Sequence, residues 1–592
     1  MAENAGEPTS AQTGTGEIRP DDAEGRRART PPSPSAPNPV LISRRKILVG
    51  GAVLLAAGAA GGAGALRLAG GGAQGVPAAS SPLGGKPTGT ASHAPGASLD
   101  QGPVDSPSDG SEATEEPILA APVTGPNRVA RENQLRGTRR WELPLAGNGD
   151  AEAYASEVSV AAGEQIRIHI SSPAQTSTVT AYRLGWYGGA GARPVQRWKN
   201  VAIGPQPSET TDPVTGMVRT DWTPAVTGTV PDSWVSGLYL VVVEPAGGAP
   251  QYCSFVVREA TPTAPILMLS GATTHNAYNS WGGKSLYPGS SSGVPTVRGD
   301  AGAVVVSFDR PDSQYRGAGL VLRWEYPFAR WMESGGYDVA YAADLDLDRH
   351  PEIINGRKLI VLVGHPEYWS IPMRATLEAA IAAGTNVASF AGNEMYWRVR
   401  FEDHPGGRYR SVTCYRRAEL DPLAASDPEH ATVEWRYPPA PKPESLVLGQ
   451  MYGHIVLKPG DFVCSAPDHW LFAGTGMVAG DSIPRLVGQE YDAFWPDLAP
   501  PGTQVLSTSS VLSNLTRMYG VYGPFPPNDP SAVTANATIY TAPSGATVFA
   551  AGTTAWSWGL DDWGNHEYEG YRTPTDRRVG IMTANVLNRL GR

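Results

Sequence analysis

The sequence predicts an α/β protein, a mostly parallel sheet flanked by helices, preceded by an all-β sandwich. Three observations carry this. A chain of 592 residues exceeds one domain at the usual ~150 residues each. Between about 127 and 259, short alternating or β-branched runs are punctuated by Gly, Pro and Asn. After Thr261, continuous apolar runs alternate with amphipathic stretches, the grammar of βαβ units.

Residues 1–43 are rich in Pro, Ser, Ala and charge, too polar to bury a core, and are expected to be a disordered n-region. Ser43-Arg44-Arg45-Lys46-Ile47-Leu48 then leads into a Gly/Ala-rich apolar run ending at Leu66. Paired arginines before a weakly hydrophobic stretch resemble a twin-arginine export signal over 44–69. A single transmembrane anchor is the alternative, since roughly 20 residues can span a bilayer. Ala and Gly are weak membrane formers, and Arg67 closes the run, so export to the outside or the cell envelope is expected. Association with membrane or cell wall would come through this segment. Residues 70–125, mostly Gly, Ser, Pro, Thr and Ala, read as a flexible linker.

Residues 126–260 form the expected sandwich. Its strands are read at Glu157–Val160, Gln165–Ile170, Ser177–Arg183 and Leu238–Val243. The aromatic segment Tyr182–Gly189 is read as a packed corner rather than a ligand-facing loop. Residues 261–592 form the α/β part. Pro265–Leu269 is a buried strand, Leu320–Ser334 an amphipathic helix closed by Gly335-Gly336, and Tyr337–Ala342 a second strand. Lys358–Val363 is apolar throughout, which suits a strand covered on both faces. Ser370 caps a helix with Pro372 in its first turn and Gly384 past its end. Asn386–Ala391 is a fourth strand, and Val579–Leu590 a final helix. Residues 402–480 are irregular and read as an insertion.

Net charge is −10 and mean hydropathy −0.25. No basic surface for nucleic acid is implied. The three cysteines leave room for one bridge in an oxidising compartment, with Cys414–Cys464 the favoured pair, and Cys253 reads equally well as a buried free thiol.

In an open parallel sheet, ligands bind beyond the carboxyl ends of the strands. The unusual residues of this chain fall there: Thr274–Tyr287 after the first strand, Gly364-His365-Pro366-Glu367-Tyr368-Trp369 after the third, Gly392-Asn393-Glu394 after the fourth. No Gly-x-Ser-x-Gly elbow stands at a strand end, and no cysteine lies near one. There is no glycine-rich phosphate cradle and no close-spaced zinc motif. The remaining possibilities are a hard-ligand metal site and a carboxylate acid/base site.

Asn276-Ala277-Tyr278-Asn279-Ser280-Trp281-Gly282, the His365–Trp369 loop, Gly392-Asn393-Glu394 and Gly488-Gln489-Glu490-Tyr491-Asp492 resemble the N,N-dimethylformamidase large-subunit family over roughly 262–592. That resemblance implies a fold similar to class I glutamine amidotransferases without their cysteine. It also implies mononuclear ferric iron held by Tyr278, Tyr287 and Glu367. His365 would orient or deprotonate a water, Asn393 would hold a substrate carbonyl or that water, and Glu490 would be a general base or proton shuttle. The implied reaction is hydrolysis of a small amide or other C–N bond. The family's characterised enzyme is cytoplasmic and pairs with a small subunit, whereas this chain carries an export-like segment, so dimethylformamide itself is not expected as the substrate. Two other functions fit the residues: a non-catalytic envelope protein binding a glycan or other ligand, and a glycoside hydrolase using Glu367 with Glu394 or Glu490.

Overall fold

The computed structural model of the protein describes residues 115–117, 126–144, 147–513, 519–520, 523–524, 533–563 and 573–592. The expected n-region and export segment lie outside the described residues. So does the linker, apart from the short strand Glu115–Pro117, which pairs with Ala192–Ala202. No helix among the described residues is long and apolar enough to cross a membrane.

The upstream part is built from β-structure. Gln165–Ser171 shows why: Ile166, Ile168 and Ile170 are buried while the residues between them are not, the period-two pattern of a strand with one covered face. With Glu152–Ala155 and Pro224–Thr229 it makes a three-stranded antiparallel sheet. A six-stranded sheet has Thr176–Leu184, Gly237–Pro245 and Gln251–Arg258 at its centre. Residues of both sheets, including Ile168, Val179, Tyr239 and Phe255, share one hydrophobic cluster. The Tyr182–Gly189 segment is a packed corner. Arg183, fully buried, donates to Glu333 at 2.8 and 3.0 Å, and the Tyr187 hydroxyl donates to Glu132 at 2.8 Å.

Downstream lies a seven-stranded sheet of β1 (Ile266–Ser270), β2 (Val339–Ala343), β3 (Leu359–Gly364), β4 (Asn386–Ala391), β5 (Gln504–Val511), β6 (Val533–Thr541) and β7 (Thr547–Ala550). Its order is β2-β1-β3-β4-β7-β6-β5. The pairs from β2 to β7 are parallel, and β6 and β5 are antiparallel. Four helices matter here: α1 (Ala272–Tyr278), α2 (Glu325–Ser334), α3 (Ile371–Ala382) and α4 (Arg577–Leu590). In α3 the Ser370 side chain accepts from Met373 N and Pro372 sits in the first turn.

The expectation of a mostly parallel sheet flanked by helices, and with it a glutamine amidotransferase-like architecture, is corrected. The described residues are mixed, with 32% strand against 21% helix, and form nine separate sheets. The physical reason is in the connections. Long excursions follow β1 and β4 and fold into 3₁₀ turns and two-stranded ribbons such as Val305–Ser307 with Ser411–Thr413 and Met451–Ile455 with Glu490–Ala493. The antiparallel pairing of β5 and β6 completes one edge of the large sheet.

Two local readings also change. Leu320–Ser334 is not one helix but a 3₁₀ turn, Gly319–Leu322, followed by α2. Trp324 interrupts it with φ −125° and sets its ring 5.6 Å from that of His365. All three cysteines are free and buried. Cys414 and Cys464 pack in different hydrophobic clusters, so this pair is not bridged.

Candidate functional site

Because β1, β3 and β4 run parallel, their carboxyl ends open on one edge. Three connections leave that edge together: α1, bearing Tyr278; the His365–Trp369 loop; and the turn bearing Asn393. Gly364 starts the second with φ +73°, and a Cβ there would lie 2.5 Å from Trp324 Cβ, so both conformation and space require glycine. The loops are tied to one another: Glu367 N donates to Thr274 Oγ1 at 2.8 Å, Met395 N to Pro366 O at 3.0 Å, and Trp397 N to Glu367 O at 2.9 Å.

Tyr278, Tyr287 and Glu367 converge. The Tyr278 hydroxyl donates to Glu367 Oε2 at 2.9 Å, and the Tyr287 hydroxyl lies 3.1 and 3.0 Å from Oε1 and Oε2. The two phenol rings stack with centres 4.3 Å apart. Tyr368 donates to the Tyr287 hydroxyl at 2.7 Å and accepts from Arg416. Burial, then the Glu367 carboxylate, pushes both phenols well above the ordinary tyrosine range. Burial also raises Glu367; Glu490 adds to this, against His365 and Arg416.

A second group adjoins the first. His365 Nε2 is 3.0 Å from Glu490 Oε2 and 3.6 Å from Glu367 Oε2. Asn393 Nδ2 donates to the same Glu490 oxygen at 2.6 Å. With carboxylates as its neighbours, Nε2 carries the hydrogen. Its 3.2 Å approach to Asn393 Nδ2 is then a contact between two donors, which leaves one Asn393 N–H uncommitted. Burial alone would lower His365, but Glu490 outweighs it and the imidazole titrates above its usual value. Burial alone would raise Glu490, yet His365 and Asn393 hold it below the usual carboxyl range. Each member thus favours the charged form of the other, imidazolium beside carboxylate. Leu320, Trp324, Ala555 and Trp558 form an apolar wall against which Tyr278 packs.

All six residues singled out in the sequence thus lie in one contiguous network. Among the described residues, no group of three or more His, Cys, Asp and Glu side chains is placed to hold a metal; the donors that meet here are two phenols and one carboxylate. The tyrosine hydroxyls and Glu367 are hard oxygen donors, the type hard cations prefer. They are held together by shared protons that a cation could replace, and the donor set therefore fits ferric iron.

Glu394, a candidate partner in a pair of hydrolytic carboxylates, is committed to Ser389 and Asp492 instead. Arg416 is not legible in the sequence. It comes from the irregular 402–480 stretch, where no periodicity marks it, and its guanidinium lies over Tyr287 and Trp397. Tyr368 stands within the His365–Trp369 loop, but its spacing alone signals no role.

A family model described as N,N-dimethylformamidase beta subunit-like, C-terminal, matches residues 178–571. The match starts well before residue 262, so it takes in much of the six-stranded sheet. No curated protein matches. Among solved structures, the Paenibacillus sp. cycloisomaltooligosaccharide glucanotransferase in complex with cycloisomaltoheptaose is 8% identical, with a TM-score of 0.14 over 41% of this chain and 45% of that one. The alignment spans less than half of that enzyme, and a likeness this weak carries no argument.

Proposed function

This chain belongs to the N,N-dimethylformamidase beta subunit-like family, and from that membership and the site geometry we propose a hydrolase that cleaves an amide or another C–N bond of a small molecule. The observation that supports this best is the meeting of Tyr278, Tyr287 and Glu367 within 3.1 Å, beside a base held by two partners. In this reading Tyr278, Tyr287 and Glu367 hold one ferric ion, which when bound supplies Lewis-acid polarisation of a carbonyl and acidification of water.

The chain's own residues do the rest. Glu490, kept ionised by His365 and Asn393, accepts a proton from the attacking water. The free Asn393 N–H orients the substrate carbonyl. His365 balances the charge on Glu490 and passes a proton onward to the departing amine. The Trp324 and Trp558 wall excludes bulk water. The export expected from residues 44–69 belongs to the same reading and makes the substrate an extracytoplasmic compound.

The test is metal analysis and visible spectroscopy of purified full-length protein, with hydrolysis assayed on a panel of formamides and small amides. The expected result is one iron per chain and a phenolate charge-transfer band. Y278F and Y287F each weaken that band, and E367Q cuts iron content at least tenfold. Protein that stays colourless with added ferric iron and hydrolyses none of the panel would sink the reading.

A further inference from the structure

Behind Asn393 and Glu490, two more carboxyls meet in the interior. Glu394 follows Asn393 in the turn after β4, and Asp492 lies two residues past Glu490 in the strand Glu490–Ala493. Each residue is 1% exposed, and after burial the Glu394 carboxyl is the neighbour that acts most on Asp492. One oxygen of each is already served: Glu394 Oε1 accepts from Ser389 Oγ, and Asp492 Oδ1 accepts from Asn393 N at 2.8 Å. The other two, Glu394 Oε2 and Asp492 Oδ2, are buried and reached by no donor. Ionised carboxylates only accept, so a bond between this pair needs a proton on one member.

Asn393 adopts φ +58°, a left-handed conformation that asparagine reaches more readily than most side chains but occupies steadily only under restraint. The Asn393 N–H bond to Asp492 supplies that restraint, while the Asn393 amide donates to Glu490 on the same strand as Asp492. We propose that Glu394 and Asp492 share a single proton and act as a positioning clamp that locks Asn393 in this conformation and against Glu490. Burial and the adjacent Glu394 hold Asp492 well above the ordinary carboxyl range. Glu444 also faces Asp492 and is itself paired with Arg436. The catalytic meaning of the clamp rests on the hydrolase reading; the proton it holds does not.

The experiment compares wild type, D492N, E394Q, the double variant and D492A in the full-length protein, by urea unfolding between pH 5 and 9. A pair that takes up one proton on folding lowers the folding equilibrium constant tenfold per pH unit over its range. Either single amide replaces the shared proton with an N–H donor, and is expected to remove that tenfold dependence. The double variant flattens the profile no further and, with two amide groups facing each other, has a lower unfolding midpoint than either single variant. In amide hydrolysis D492A is expected to lose at least tenfold in kcat with KM within twofold, and D492N to restore kcat. Single amides that keep the wild-type pH slope would overturn the shared proton, and D492A with full kcat would overturn the positioning role. If D492A fails to fold, the single and double amides still decide. Wild type that hydrolyses nothing counts against the hydrolase reading alone, because the pH slopes are measured independently.

Discussion

The Arg416 guanidinium lies 3.9 Å from the centre of the Tyr287 ring and donates to the Tyr368 hydroxyl, whose own proton goes to Tyr287. A cation from an irregular segment is thereby sandwiched against the aromatic rings of an oxygen-rich site, with Trp397 4.7 Å away. A desolvated cation–π contact contributes about 1–2 kcal/mol. R416M is expected to lower stability by about 2 kcal/mol in urea denaturation. With iron added, it should move the phenolate band to longer wavelength, because Tyr287 loses a stabilising positive charge. An unmoved band would separate Arg416 from the electronics of the site.

The His365–Glu490 pair sets a pH window. Glu490 titrates below its ordinary range, so its contribution is present above about 4.3 and lost as pH falls through the lower folded value. His365 titrates above its ordinary range, so its contribution is full below about 6.5 and lost as pH rises through the higher folded value. The activity profile should therefore have an acid limb below the usual carboxyl range and an alkaline limb above the usual histidine range. E490Q should lower kcat by about 10²–10⁴-fold and bring the His365 titration, followed by NMR, back down. A His365 titration unchanged in E490Q would disprove the coupling.

Asp344 gives a separate test beside the first turn of α1. The Thr273 hydroxyl contacts both Asp344 Oδ2 and the Tyr368 carbonyl, the latter at 2.8 Å. It has one hydrogen for two acceptors, a shortage that a proton on Asp344 relieves. Burial pushes Asp344 up to about 7. The sign is that of a raised acid: between about pH 4 and 7 the unfolded chain ionises while the folded one stays protonated, and stability falls as pH rises. The loss is on the order of 4 kcal/mol at most, at 1.36 kcal/mol per unit. D344N, with the same shape and no proton to lose, should flatten that part of a urea-midpoint profile, and an unflattened profile would show Asp344 to be ionised.

Arg183 and Glu333 tie the six-stranded sheet to α2. Both are buried, and Glu333 also accepts from Tyr341 at 2.7 Å and Asn133 at 2.7 Å. Removing one member leaves an uncompensated buried charge, so R183M should cost about 3–5 kcal/mol. Thermal and urea denaturation would check this, and a change within 1 kcal/mol would mean that water reaches Glu333.

The sequence by itself determined the local elements of the central sheet and the residues gathered at its edge. Asn386–Ala391 and the Ser370 cap appear where apolar continuity and turn chemistry put them, since both act over a few residues. Tyr278, His365, Glu367 and Asn393 were legible because each comes just after a strand, and parallel strands deliver their trailing loops to one edge. The tertiary structure alone decided the rest. The antiparallel edge of β5 and β6, the ribbons that displace the expected helical layers, the separation of Cys414 from Cys464, the seat of Arg416 and the meeting of Glu394 with Asp492 all depend on contacts between segments far apart in the chain. Such contacts leave no period in the sequence, because burial and long-range pairing select them rather than any preference of neighbouring residues.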